Sequence, residues 1–374
     1  MFSTTSLHFR AFITIVMKFV IFSFILMVFN SQLVYGQFSA PKYSNEFLSI
    51  GVGARGIALS STQVASVNDV TSGYWNPAGL VQIQDKYQGS LMHSEYFAGI
   101  AKYDYVGFAT KVDSVSAASV TAIRFGVDDI PDTRFLFDAN GAIDYGAVQF
   151  FSAADYGFLL SYARRNVLLE GLNVGGSAKI IYRSVGKFAT AWGFGFDLGA
   201  QYTLGEWELG AAIKDVTGTF NAWFINSDLL EDVFAQTGNE IPYNSVEVTL
   251  PRLLIGGTRS FEIIDSVASI RALAELDVTF DGKRNALLKS NFASINPHLG
   301  LEADYKRIVF LRFGLGGIQQ IKDFDGSKNW MMQPNFGIGV IIKGIQIDYA
   351  LTDVFDSSDA LFSNIFSLTF AINK

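Results

Sequence analysis

Few residues in this chain are of types and spacings that do chemistry. The histidines are His8, His93 and His298, too scattered for a metal-ligand spacing, and there is no cysteine. Thiol catalysis, thiolate metal sites and disulfides are therefore excluded. No His-x-x-x-His, Gly-x-Ser-x-Gly or phosphate-loop pattern occurs. Gly51-Val-Gly-Ala-Arg-Gly56 superficially has dinucleotide-loop spacing, but it does not follow a hydrophobic strand inside a βαβ unit, so no cofactor is expected there. Asp128-Asp129, Asp323-Phe-Asp325-Gly326 and the trio Asp353, Asp356, Asp359 offer oxygen ligands for Ca²⁺. None completes a binding-loop pattern, and they read as solvated loop carboxylates. The formal net charge of -7 argues against nucleic acid, which needs a basic footprint. No catalytic, metal or cofactor site is expected.

The elements themselves say more. Lys18 precedes an apolar run, Phe19–Phe29, and Val34-Tyr35-Gly36 stands before Gln37. This is the order of a cleaved secretory signal peptide, which places the mature start near Gln37, with Met17 as an alternative start codon. Three segments are expected: a signal peptide over 1–36, an N-terminal periplasmic or plug segment over 37–85, and a β structure over 86–374. Beyond the signal no apolar run reaches the roughly 18 residues of a membrane-spanning helix. Yet the chain is rich in aromatics (14%) and has 35 glycines.

Strand alternation decides the class. Along Ala189–Leu204, Trp192, Phe194, Phe196, Leu198 and Tyr202 fall on one face, and Gly193, Gly195, Asp197, Gly199 and Gln201 on the other. A long strand with a continuous apolar face and aromatics near both ends is what a bilayer demands. The pattern recurs in about 14 runs, and in lipid such strands must close into a barrel. The fold class expected is all-β: a transmembrane antiparallel barrel of about 14 strands with a short irregular or helical N-terminal plug. Tight junctions near Arg164–Gly171, Gly205, Lys306 and Gly344 alternate with longer ones near 127–145, 217–245, 281–294, 319–333 and 353–361. That asymmetry puts both termini on the periplasmic side of an outer membrane. Lumen-facing charges, among them Lys179, Arg183, Asp197, Glu208, Arg271, Glu275, Asp277, Glu302, Asp304 and Arg312, could line a path for a polar solute, but read first as an interior ion-pair and water network.

Two stretches break the strand rhythm. Gly51–Leu80 is glycine-rich, and its Asn76-Pro77 fits either a turn or a helix start with Asn as N-cap. After Thr217, the residues Phe220, Trp223, Phe224, Leu229, Leu230, Val233 and Phe234 recur at roughly helical spacing. A solvent-facing loop has little use for them, so they are expected to form a lid over the barrel mouth or a contact patch for a partner protein.

Gly53, Ala54, Arg55 and Gly56, with Asn68, Asp69, Trp75, Asn76, Pro77, Ala78 and Gly79, resemble the PorV/PorQ family of type IX protein secretion. Val127-Asp128-Asp129-Ile130-Pro131-Asp132 and Ile345–Ala350 extend the resemblance over the mature chain. Ser60-Ser61 stands where members often carry glycines, and the chain does not end in an aromatic residue. The resemblance implies a FadL-like 14-stranded barrel, a Bacteroidetes-type host and a plug at or inside the periplasmic end. It implies a non-enzymatic role, binding the translocon or the C-terminal domains of cargo proteins. FadL relatives instead pass hydrophobic molecules, which is the alternative expectation.

Overall fold

A computed structural model describes residues 43–138, 140–231, 244–322, 326–352 and 363–372, together with Phe234 and Glu240. The signal-peptide segment, Val233, Asp323, Asp325, Asp353, Asp356 and Asp359 lie outside the described residues. No helix among them is long and apolar enough to cross a membrane.

Seventeen strands are described: β1 (Tyr87–Tyr96), β2 (Ala101–Lys111), β3 (Ser116–Asp132), β4 (Gln149–Arg164), β5 (Leu172–Val185), β6 (Ala189–Leu204), β7 (Trp207–Lys214), β8 (Thr219–Ile225), β9 (Ser245–Thr249), β10 (Arg252–Ile264), β11 (Ala268–Thr279), β12 (Leu288–Lys289), β13 (Ser294–Tyr305), β14 (Val309–Lys322), β15 (Lys328–Ile342), β16 (Ile345–Thr352) and β17 (Ser363–Ile372). All pairings are antiparallel, and β1 pairs with β17 to close the sheet on itself. One edge of β6 carries β7 along Leu198–Leu204 and β8 along Ala189–Phe194, so β7 and β8 are two halves of one interrupted stave. β9 and β10 form the next stave, broken at Leu250-Pro251, and β12 is a two-residue flap on β13. The wall is thus the expected FadL-like barrel of fourteen staves.

The faces sort by parity, because a strand sends successive side chains to opposite sides. On β6 the outward Trp192, Phe194, Phe196 and Leu198 are exposed, whereas Ala191 and Asp197 are buried. Outward apolar groups cost nothing in lipid and make the barrel's belt.

The connections alternate only in part. Junctions at Gly205-Glu206, Asp265–Val267, Lys306–Ile308 and Lys343-Gly344 close one end of the barrel, and the connections at 133–148, 226–244 and 280–293 lie at the other. The tight-turn end also carries the longer 165–171, and the other end the short 97–100 and 186–188. Two expected long loops are shorter than read: β3 runs on to Asp132, and β14 and β15 take up most of 319–333. β3 does so through a bulge at Asp128-Asp129, where Asp129 has a φ of 57°.

Inside the barrel lies the segment from Tyr43 to Ile83. It contains α1 (Ala54–Ala58), α2 (Ser72–Trp75) and 3₁₀ turns at Glu46–Leu48 and Pro77–Gln82. Its Phe47, Val52, Ile57 and Trp75 pack with Tyr103, Ile123, Leu159 and Ile181 of the wall in one apolar cluster. These helices are far too short to persist alone, so burial against the wall is what holds them.

Candidate functional site

The plugged lumen is the site. At its centre Arg55, on α1, is ion-paired through Nε and Nη2 to Glu302 of β13 at 2.9 and 3.1 Å. Arg312 of β14 donates Nε to the same carboxylate at 2.7 Å and Nη1 to Asp348 of β16 at 2.6 Å. Two guanidiniums and two carboxylates balance, which is the condition under which buried charge is tolerable. All four are buried, Arg312 to 1% side-chain exposure. Ala54 N also donates to Ser367 Oγ on β17 at 3.0 Å. One helical turn thereby ties the plug directly to β13 and β17, and through the shared Glu302 carboxylate to Arg312 of β14 and Asp348 of β16.

Asn76-Pro77 is a capped start, and the cap serves the wall too. Asn76 is extended (φ -152°), and its Oδ1 accepts from Ala78 N at 3.2 Å at the head of the 3₁₀ turn. Its Nδ2 donates to Val64 O at 2.7 Å and to Ala200 O of β6 at 3.1 Å. Trp75 Nε1 donates to Val52 O at 3.0 Å, and Gly51 and Gly56 lie against its ring. Gly79 nests against Ser72. Asp69 Oδ1 accepts from Thr71 N at 2.8 Å ahead of α2. The structure therefore gathers Gly53, Ala54, Arg55, Gly56, Trp75, Asn76, Pro77, Ala78 and Gly79 inside the barrel, while Asn68 and Asp69 border a cavity beneath them.

The wall makes room for the plug backbone with glycine. A Cβ at Gly175 would stand 2.6 Å from the Pro77 carbonyl carbon, and one at Gly210 2.5 Å from Ala65 Cα. The shared purpose of these two glycines emerges only once the plug is seated. At the expected glycine positions, Ser60 and Ser61 have φ values of 53° and 67°. The glycine-favouring conformation is kept without glycine. Asn335 Nδ2 donates to Ser60 Oγ at 2.6 Å, which accounts for serine at the first position.

Two cavities flank the plug. One of about 570 Å³ opens toward the tight-turn end, bordered by Arg55, Asp69, Gln82, Arg271, Glu302 and Arg312. The other, of about 50 Å³, lies on the far side between Leu48, Tyr74, Lys179, Asp197, Arg252 and Asp281. Both are lined largely by charged and polar groups. The inward charges pair as the sequence led one to expect: Lys179 Nζ lies 2.8 Å from Asp197, Arg183 Nε 2.9 Å from Asp155, and Arg252 Nε 2.6 Å from Asp277. Asp197 also accepts from Asp215 N at 2.8 Å, bridging the gap between β7 and β8 where ladder bonds stop. Arg271 reaches Glu208 only at 3.8 Å, and Glu275 accepts from Val64 N at 2.9 Å.

The stretch after Thr217 requires a correction. Phe220, Trp223 and Phe224 are not on a helix but on β8, a strand in the wall. Phe220 and Phe224 face outward and are exposed; Trp223 donates Nε1 to Glu247 at 2.9 Å beneath the Arg183 guanidinium. Leu229 closes a 3₁₀ turn followed by Leu230, and Phe234 N donates to Leu230 O at 3.0 Å. Val233 lies outside the described residues. The six described residues do not form one face.

The chain's N-terminal residues supply contacts that sequence reasoning missed. Glu46 pairs with Arg284 Nη1 at 2.8 Å, and Arg284 also holds Asp281 in the β11–β13 connection. Partial burial pushes the Asp281 carboxyl up, but the Arg284 guanidinium outweighs it and holds Asp281 below its usual range. No signal in the sequence pairs residues so distant. Asp128 pairs with Arg124 at 3.4 Å, and no metal-ligating cluster occurs among the described residues.

No family model and no curated protein matches the chain. Solved structures do. It is similar to the Ralstonia pickettii toluene transporter TbuX (14% identity, 86% of this chain and 99% of that one, TM-score 0.52). It is similar to the CymD monoaromatic hydrocarbon channel (14%, 87% and 98%, TM-score 0.53) and to the Pseudomonas putida toluene transporter TodX (12%, 87% and 99%, TM-score 0.52). At these identities the likeness is one of fold: a closed antiparallel barrel of fourteen staves, which in this chain encloses the Tyr43–Ile83 segment.

Proposed function

We propose that this protein is an outer-membrane barrel that passes small hydrophobic molecules, with the Tyr43–Ile83 plug as its gate. The observation that carries this reading is the lumen-filling plug, within an architecture like that of aromatic-hydrocarbon channels over most of the chain. A signal peptide over 1–36 and periplasmic tight turns fit it. Toluene is the first substrate to try. Deleting the gene should lower toluene uptake by intact cells, with recovery on complementation; unchanged uptake would sink the reading.

A specific observation favours a second reading, the PorV/PorQ-type role in type IX secretion. The larger cavity is lined by more polar than apolar surface, with Arg55, Asp69, Arg271 and Glu302 on its border, which suits a closed scaffold better than an apolar conduit. Phe135, Phe137, Ile143 and Tyr145 are exposed at the long-loop end, where a protein partner can reach them. Affinity purification from native outer membranes should then recover translocon proteins or cargo C-terminal domains, and recovery of neither removes this reading.

A further inference from the structure

The apolar belt is interrupted by charge on β1, β2 and β3. His93, Asp104 and Arg124 are successive partners in one cross-strand row, which runs on through Tyr156, Tyr182 and Trp192 of β4 to β6. Their neighbours Met92, Tyr103 and Ile123 point inward and join the apolar cluster of the plug, so the three face outward. One level further from the tight turns, Lys102 of β2 and Asp128 at the β3 bulge face outward too. Elsewhere among the described staves, outward charges keep to the rims: Arg164 ends β4, and Arg259 lies opposite Trp207, the first residue of β7. The patch itself lies within the belt. His93 stands six residues along β1 from Tyr87, whose ring stacks on Phe108 beside the tight-turn rim. At about 3.3 Å per residue and a tilt of about 40°, that is a climb of about 15 Å in an apolar band about 25 Å tall. Exposed apolar groups bracket it, Leu91 and Val106 below and Phe97 and Ile100 in the turn above.

Within one chain these charges pair loosely: Arg124 lies 3.8 Å from Asp104, and Lys102 3.7 Å from Asp128. Partly exposed charge is costly against hydrocarbon, so the patch calls for a polar occupant. Its signs say which. On β2 the acid Asp104 lies below the base Lys102; on β3 the base Arg124 lies below the acid Asp128. Two copies in one membrane are related by a two-fold axis along its normal, which keeps heights and exchanges sides. With that axis between β2 and β3, Asp104 meets Arg124 of the partner subunit, and Lys102 meets Asp128 of the partner subunit. Both levels attract. An anionic lipid headgroup fits less well, since Glu95, Asp104 and Asp128 outnumber Lys102 and Arg124. We propose that the outward face of β2 and β3 is an isologous dimer interface, occupied in the membrane by a second copy of this chain. This inference goes beyond both functional readings and depends on neither.

The chain has no cysteine, so single cysteines report the contact in native outer membranes. Ala122→Cys, outward on β3 just below Arg124 and beside the axis, should give a disulfide-linked dimer on mild oxidation. Leu301→Cys, exposed on β13, should not. Adding Asp104→Arg to Ala122→Cys should cut the dimer at least about ten-fold, and adding Arg124→Asp should do the same, because each sets like charges across the axis. Co-expressing those two variants should restore linkage as a mixed dimer, since opposite charges at these positions then face each other only between chains. The proposal is overturned if Ala122→Cys stays monomeric or links to a different protein, or if Leu301→Cys links as readily; this comparison keeps the native charges and decides even where a charge variant fails to fold. It is overturned as well if the mixed pair links no better than either variant alone while each keeps the heat-modifiable gel mobility of a folded barrel.

Discussion

Glu46 and Arg55 belong to the same plug, and each meets an arginine–carboxylate cluster, but in opposite surroundings. The Arg55 cluster is sealed: Arg55 and Glu302 keep 12% and 8% of their side-chain exposure, and the Arg312–Asp348 pair behind them is more buried still. The Glu46–Arg284–Asp281 cluster sits at the end with the long connections, and its carboxylate partner Glu46 is accessible to water. A buried pair loses heavily when one member is removed, because the other is left as unpaired charge. An exposed pair is screened and worth little. The difference assigns two tasks to one segment: the inner clamp fixes the plug body, and the outer clamp pins its exposed leading end.

The largest effect should come from breaking the inner clamp. Arg312→Ala strips Asp348 of its arginine and leaves Glu302 with Arg55 alone, and about 3–5 kcal/mol of stability should be lost in urea unfolding from lipid vesicles. Gly210→Val should follow, since any Cβ there meets the Ala65 backbone; overpacking of this kind costs about 1–3 kcal/mol and should appear as a lowered urea midpoint. Glu46→Ala should cost no more than about 1 kcal/mol in the same assay, yet raise protease cleavage near residue 43. A loss as large as that of Arg312→Ala would erase the contrast between the clamps. Acid should act mainly on the outer clamp. Asp281 is held below its usual range, so its contribution is present above the unfolded carboxylate value, about 3.9, and is lost as pH falls through its lower folded value. Cleavage near residue 43 should therefore stay flat from about pH 8 to 5 and rise only in strong acid. Ser61→Gly is the smallest: it relieves a positive φ but frees the unfolded chain, and the midpoint should move by less than about 1 kcal/mol.

Much of the wall was legible because lipid imposes period two on every stave, so β6 could be faced residue by residue. The plug was legible as a glycine-rich break in the strand rhythm: Asn76-Pro77 fitted a turn or a cap, and only the structure decides for the cap. The clamps were not legible, since Arg55 and Glu302 meet only through the closed barrel. β8 was misread for a physical reason. Phe220 and Phe224 are four apart, and a spacing of four puts residues on one face of a strand as well as of a helix. Ala222 between them, facing the same way, was too small to mark the alternation.

Conductance across a planar lipid bilayer tests most directly whether the inner clamp keeps the lumen shut. The unsubstituted protein should sit near baseline, and Arg55→Ala should produce discrete open steps while Glu46→Ala does not. Steady large openings in the unsubstituted protein, or a silent Arg55→Ala protein that is correctly folded, would contradict it.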